Sequence, residues 1–324
     1  MVLVVFLLIL GMVLLVKGAD LFVSGSSAIA KALKIPSLII GLTLVSMGTS
    51  APEAAVSIIG SINGMTDMSI GNVVGSNIFN TLFIVGISAL IVPLSVGNDI
   101  KRFDIPIMIG IYAVLILFAF AITPYVLDIY ESVTMLALFI GYTVFLVVRA
   151  KKASKPSVAA NDPVPNPDNE TNNKPKPIWL SVILAALGLA GIVFGGDMVV
   201  DNAAKIAEAA GMSEALVGLT IVAVGTSLPE LVTSIVASVK KENDIAIGNV
   251  IGSNIFNIIF ILGISSAIGD LTLGGAALVD MLVMLGSGIV ILLTALCSAR
   301  VYRLQGAAML LLYVGYLAYI IVRN

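Results

Sequence analysis

Apolar residues along this 324-residue chain come in runs of about 20, separated by short polar connections and without period-two alternation. A run of that length crosses the hydrocarbon of a bilayer as a helix, whereas outer-membrane barrel strands would alternate over about 10 residues. The pattern predicts an all-α integral membrane protein of ten transmembrane helices, at 2–23, 37–62, 70–94, 103–123, 127–148, 178–200, 215–239, 247–269, 277–298 and 304–322. Residues 24–36 are less apolar and read as a short amphipathic extension of the first span. The opening MVLVVFLLIL lacks the basic n-region of a signal peptide and reads as a retained first helix. The one long polar stretch, 149–177, contains NDPVPNPDNETNNKPKP, a composition that cannot form a core. It is expected to be a disordered cytoplasmic linker.

Charge supplies the orientation. With the N-terminus outside, the inward connections carry 14 basic residues and the outward ones two, Lys205 and Arg323, while Lys17 lies within the first span. Both termini are therefore expected outside the cell membrane and the 149–177 loop in the cytoplasm. Composition agrees with a bilayer environment, at 59% hydrophobic and 11% charged residues. A net charge of −2 gives no reason to expect nucleic acid as a partner. Cys297 is the single cysteine, and there is no histidine.

Shifted by 177 residues, the chain matches itself without a gap. Residues 11–89 and 188–266 are identical at about 36 of 79 positions. The densest blocks are GNVVGSNIFN at 71–80 and GNVIGSNIFN at 248–257. Each half holds five spans, and an odd number puts the halves in opposite orientations. The flanks agree: Asn63 and Gly64 align with Lys240 and Lys241, and Lys31 and Lys34 with Glu208 and Gly211. We divide the chain into a five-helix repeat at 1–148 with its motif at 41–88, the linker 149–177, and an inverted repeat at 178–324 with its motif at 218–265.

The motifs carry the chemistry. GTSAPE at 48–53 and GTSLPE at 225–230 place Glu53 and Glu230 deep in apolar spans. An ionised carboxylate there costs on the order of several kcal/mol unless it meets a cation or takes a proton. Pro52 and Pro229 free the carbonyls around Gly48 and Gly225 from the helix ladder. Hydroxyls stand beside them at Thr49, Ser50, Thr226 and Ser227, and Ser76 with Asn80, and Ser253 with Asn257, share helix faces at i, i+4. The set is all oxygen, suited to hard cations such as Ca²⁺ or Na⁺ rather than zinc or copper, with Mg²⁺ a poorer fit. Protonated glutamates bonding between helices are the plain alternative. The G-x-x-x-G of Gly71 and Gly75 also suits close helix packing, which can coexist with ion contact. Asp20 and Asp197, equivalent in the repeat, have two readings: gates at the mouths, or interfacial acids, Asp20 then pairing with Lys17 one turn away.

These duplicated motifs resemble the two α-repeats of the cation/calcium exchanger superfamily, most closely the prokaryotic sodium/calcium exchangers. The resemblance implies ten helices and four ion sites between helices 2, 3, 7 and 8. It implies Glu53 and Glu230 as direct ligands of Ca²⁺ and Na⁺, with Thr49, Thr226, Ser50, Ser227, Ser76 and Ser253. It adds the carbonyls of Ser46 and Ala223, and puts Asn80 and Asn257 in the central site. It also implies helices 1 and 6 sliding as a pair over the other eight. An acid often stands in relatives at the position of Asn257, including potassium-dependent exchangers, so its absence here argues against potassium co-transport. Plant-type proton/calcium exchangers carry a different acidic motif. Two carboxylates balance one Ca²⁺ or two Na⁺, so the family's three-for-one exchange would be electrogenic.

The expected function is Na⁺-gradient-driven Ca²⁺ extrusion by alternating access, with Ca²⁺ and Na⁺ as substrates, the bilayer as partner, and neither a cofactor nor an obligate protein partner. A proton-coupled or other cation exchanger is the alternative, ahead of a passive channel. A membrane enzyme has no Ser–His, zinc or paired-Asp constellation to support it.

Overall fold

The structure, a computed structural model, describes residues 1–153, 177–210 and 223–323. It is helical except for two short strand pairs. We number the helices α1 (Val2–Leu33), α2 (Ser37–Thr49 and Ala51–Ile62), α3 (Thr66–Ile91), α4 (Ile100–Ile122) and α5 (Ile129–Ala153). The second half supplies α6 (Ile178–Ala209), α7 (Leu228–Val239), α8 (Asn243–Ile268), α9 (Ala277–Cys297) and α10 (Arg303–Arg323). Among the described residues eight helices are long and apolar enough to cross a membrane, or nine with the bent α2 counted as one span. Residues 215–222 of the expected seventh span lie outside the described residues, as do 154–176 of the expected linker. The linker's first residues are helical instead. α5 runs on to Ala153 because Arg149 has partners there, Asp104 at 2.7 Å and Asp99 at 3.0 Å.

Local chemistry ends the helices where the chain must turn. Lys34 takes a left-handed conformation before Ile35-Pro36, which closes α1. The α2–α3 turn uses Gly64 at φ 74°, and its counterpart between α7 and α8 uses Lys241 at φ 63°. The bonding is the same in both: Met65 N–H reaches the Gly60 carbonyl at 2.8 Å, and Glu242 N–H reaches Ala237 at 2.9 Å.

The two halves interlock. Strand β1 (Leu94–Ser95), between α3 and α4, pairs antiparallel with β4 (Arg300–Val301), between α9 and α10. Strand β2 (Val126–Leu127), between α4 and α5, pairs with β3 (Leu271–Thr272), between α8 and α9. Helix α3 packs on α10 through an aromatic trio of Phe79, Phe83 and Tyr313. Helix α8 packs on α5 through Phe256, Phe260 and Phe139. At a closer point, a Cβ on Gly306 would lie 2.6 Å from the Gly86 carbonyl, and Ser132 Oγ donates to the Gly263 carbonyl at 2.6 Å. Each half thus completes the packing of the other.

Helices α1 and α6 form an antiparallel seam. A Cβ on Gly188 would sit 2.4 Å from Phe22 N, and one on Gly18 would sit 2.8 Å from the Gly188 carbonyl. Gly11 and Gly195 meet in the same way one heptad on. Small residues let two backbones touch, which is how helices associate where lipid removes the hydrophobic drive. At one end α1 is tied to the α7–α8 turn: Lys240 pairs with Asp20 at 2.7 Å and donates to Ser24 Oγ, and Ser27 donates to Glu242 at 2.6 Å. Asp20 therefore pairs with Lys240 rather than with Lys17, because tertiary packing brings a lysine nearer than the one a turn away on the same helix.

Candidate functional site

The site begins with two broken helices. α2 bends by 50° at Ser50, which leaves helical geometry at ψ 10°. Ser227 does the same before α7, at ψ 6°. Pro52 and Pro229 follow as early residues of the next helical segments. Neither can donate to the carbonyl four residues back, at Gly48 and Gly225. Glu53 and Glu230 then fall in the first turns of Ala51–Ile62 and Leu228–Val239, where unsatisfied N–H groups favour negative charge. Both are fully buried. α3 and α8 contribute the other side, each with a π-helical segment, Phe79–Ile84 and Asn257–Leu262, in its middle. Such segments twist the face that a helix presents.

Each break reaches across to the carboxylate of the other half. Ser50 Oγ donates to Glu230 Oε1 at 2.8 Å, and Ser227 Oγ donates to Glu53 Oε1 at 2.8 Å. The 177-residue offset maps one bond onto the other. The asparagines repeat the exchange: Asn80 Nδ2 donates to Asn254 Oδ1 at 3.1 Å, and Asn257 Nδ2 to Asn77 Oδ1 at 3.0 Å. Four buried oxygens of this cluster have no hydrogen-bond partner: Oε2 of Glu53, Oε2 of Glu230, Oδ1 of Asn80 and Oδ1 of Asn257. All four are acceptors. A buried acceptor without a donor is unfavourable by about 1–3 kcal/mol, more when charged, and a cation is one partner that can satisfy such acceptors. No ion pair to either glutamate occurs among the described residues.

The remaining expected residues fall around this centre with less symmetry. Ser76 is within 3.1 Å of Ser227 Oγ. Its counterpart Ser253 turns instead to the Ser46 carbonyl, at 3.4 Å. That carbonyl also receives Thr49 Oγ1 at 3.3 Å and Ser50 N–H at 3.0 Å, so it is more occupied than the proline break alone suggests. Ala223 opens the short turn Ala223–Gly225, and Ser227 N–H bonds to Val224 rather than to Ala223. Thr49 donates to Asn249 Oδ1 at 3.0 Å and Thr226 to Asn72 Oδ1 at 3.4 Å. Asp197 is exposed.

Four participants were not singled out from the sequence: Asn72, Asn249, Asn77 and Asn254. All occur at the 177-residue offset inside the two GNV-GSN blocks. A polar residue repeated at membrane depth in both copies was the available signal. Among the described residues no cluster of three or more His, Cys, Asp or Glu side chains is present. Two carboxylates with hydroxyl, amide and carbonyl oxygens make a hard-cation environment.

A family model described as sodium/calcium exchanger protein matches residues 3–148 and 180–322. The chain is 37% identical over 312 residues to a putative antiporter CaxA of Alkalimonas amylolytica, covering 95% of each. It is 35% identical over 339 residues to the sodium/calcium exchanger MaX1 of Methanosarcina acetivorans, covering 96% of each. Its fold superposes on a structure of the sodium-calcium exchanger NCX_Mj soaked with zero Na⁺ and Ca²⁺ with a TM-score of 0.83 at 31% identity, covering 98% of this chain and 99% of that one.

Proposed function

Because the chain belongs to the sodium/calcium exchanger protein family, we propose that it is an antiporter driving Ca²⁺ out of the cell with the inward Na⁺ gradient. The observation that carries this is the pair of unpartnered buried oxygens, Glu53 Oε2 and Glu230 Oε2, each on a carboxylate whose other oxygen is held from the opposite half. Ca²⁺ binds between the two carboxylates, with Thr49, Thr226, Ser50, Ser227, Ser76, Ser253, Asn80, Asn257 and the carbonyls of Ser46 and Ala223 as the surrounding oxygen donors. In the absence of a cation, Ser50 and Ser227 point their hydroxyl protons at the carboxylates. On binding, those protons turn away and the lone pairs face the metal. Na⁺ uses the same charges, so the two ions compete and each must leave before the other enters. That exclusion makes the cycle an exchange rather than a leak.

The architecture behind this is two inverted five-helix repeats, 1–148 and 178–324, joined by the cytoplasmic segment 149–177, with both termini outside. The strand pairs support it: the connections at 94–95 and 300–301 share one end of the bundle, and those at 126–127 and 271–272 share the other. With helices crossing alternately, that is the arrangement the loop charges require. Asn257 in place of an acid supports independence from K⁺. Transport, not catalysis, is the role that fits these residues, and it needs no cofactor.

The test is ⁴⁵Ca²⁺ uptake into proteoliposomes under an imposed gradient of Na⁺, K⁺ or H⁺. Uptake driven by Na⁺ alone supports the reading. A signal driven by H⁺ alone would assign the glutamates to proton exchange, and uptake without any counter-ion would indicate a channel.

A further inference from the structure

Asn249 is fully buried and its amide has no freedom left. Its Nδ2 donates to the Glu230 backbone carbonyl at 3.3 Å and to Ser234 Oγ at 3.0 Å. A backbone carbonyl only accepts, so the amide cannot flip without placing oxygen against oxygen. Oδ1 is therefore fixed toward Thr49, whose hydroxyl donates to it at 3.0 Å, a shorter contact than the 3.3 Å to the Ser46 carbonyl, its other acceptor. Asn72 repeats the pattern in the other half. Its Nδ2 donates to the Glu53 carbonyl at 3.3 Å and Ser57 Oγ at 2.9 Å, and its Oδ1 accepts from Thr226 at 3.4 Å.

We propose that Asn249 and Asn72 are positioning residues that each hold a glutamate's backbone on one side and dispose of a threonine's hydroxyl proton on the other. A threonine oxygen makes a good cation ligand only when its proton points away from the metal. With the proton committed to Asn249, the lone pairs of Thr49 face the space between the carboxylates. Asn249 also spans the halves: it sits on α8, holds α7 at Glu230, and fixes Thr49 on α2, next to the Ser50 that donates to the same glutamate. It thereby sets how far the two broken helices stand apart. Asn249 carries more of this task than Asn72, because Asn72 is only partly buried and its bond to threonine is longer.

The proposal rests on Thr49 being a cation ligand, and calorimetric titration of purified full-length protein with CaCl₂ tests it apart from transport. Residues that orient metal ligands are worth about 10–100-fold in affinity. Asn249→Ala and Thr49→Val should each weaken Ca²⁺ binding within that range. The double variant should be no weaker than the worse single one, because both remove the same oriented oxygen. Thr49→Ser, which keeps the hydroxyl, should lose less affinity than Thr49→Val. Should Asn249→Ala not fold, the same cycle with Asn72→Ala and Thr226→Val should give the same pattern with smaller losses. Losses that multiply in the double variant, or unchanged affinity in Asn249→Ala, would overturn the proposal while leaving the exchanger reading intact. A wild-type protein that binds no Ca²⁺ would overturn both.

Discussion

At the scale of residues, the decisive feature is that each carboxylate is served by the other half. Glu53 and Glu230, with their prolines and hydroxyls, stand out in the sequence because a charge at membrane depth needs a reason. The crossing of Ser50 to Glu230 does not stand out. Ser50 lies three residues before Glu53, a spacing that suggests a local cap, and only the meeting of two broken helices redirects it. Asn72 and Asn249 were hidden for a similar reason, since an amide between membrane helices reads as ordinary packing glue. Glu53→Gln and Glu230→Gln should each abolish Na⁺-driven Ca²⁺ flux, because one remaining carboxylate cannot balance a divalent ion. Ser50→Ala and Ser227→Ala should weaken Ca²⁺ binding, by about tenfold for a lost donor, and spare the fold. Wild-type flux in both glutamine variants would remove the chemical basis of the account.

At the scale of elements, the spans were legible from apolar run length, and their breaks from proline. Their ends were less even: the extension of α1 to Leu33 was legible in the amphipathic 24–36, whereas that of α6 to Ala209, past the apolar run ending at 200, was not. The π-helical segments of α3 and α8 have no signature in composition. The glycine seam between α1 and α6 makes a sharp prediction. Gly188→Leu should lower the thermal unfolding temperature in detergent markedly, since even a Cβ would collide with the backbone at Phe22. Gly110→Ala on the exposed face of α4 meets nothing within 4 Å and should leave it unchanged or slightly raised. Equal melting of Gly188→Leu and the wild type would mean that the seam is not closed. The tie of Lys240 to Asp20 is half in water, so Lys240→Met should shift global stability by no more than about 1 kcal/mol. Its effect should appear instead as faster amide exchange at 237–242, and unchanged exchange there would show that the tie does not restrain the turn.

At the scale of the whole molecule, the 177-residue repeat and the loop charges predict two opposed halves, while the interlocking could not be read from either. Pairing of β1 with β4 and of β2 with β3, and the exchange of fifth helices between halves, are contacts between residues far apart in sequence. The opposed orientation is testable on a Cys297→Ser background. Asn63→Cys and Lys241→Cys occupy corresponding turns, so an impermeant thiol reagent added to intact cells should label the first and not the second. Labelling of both from outside would contradict the inversion. The central claim, that two carboxylates from opposite halves hold one hard cation between them, is tested most directly by anomalous diffraction from crystals soaked in Sr²⁺ or Ca²⁺. The account predicts a single strong divalent-ion peak in contact with Oε2 of both Glu53 and Glu230, at about 2.3–2.6 Å for Ca²⁺. A peak bound to only one of them, or none at that position in saturating Ca²⁺, would contradict it.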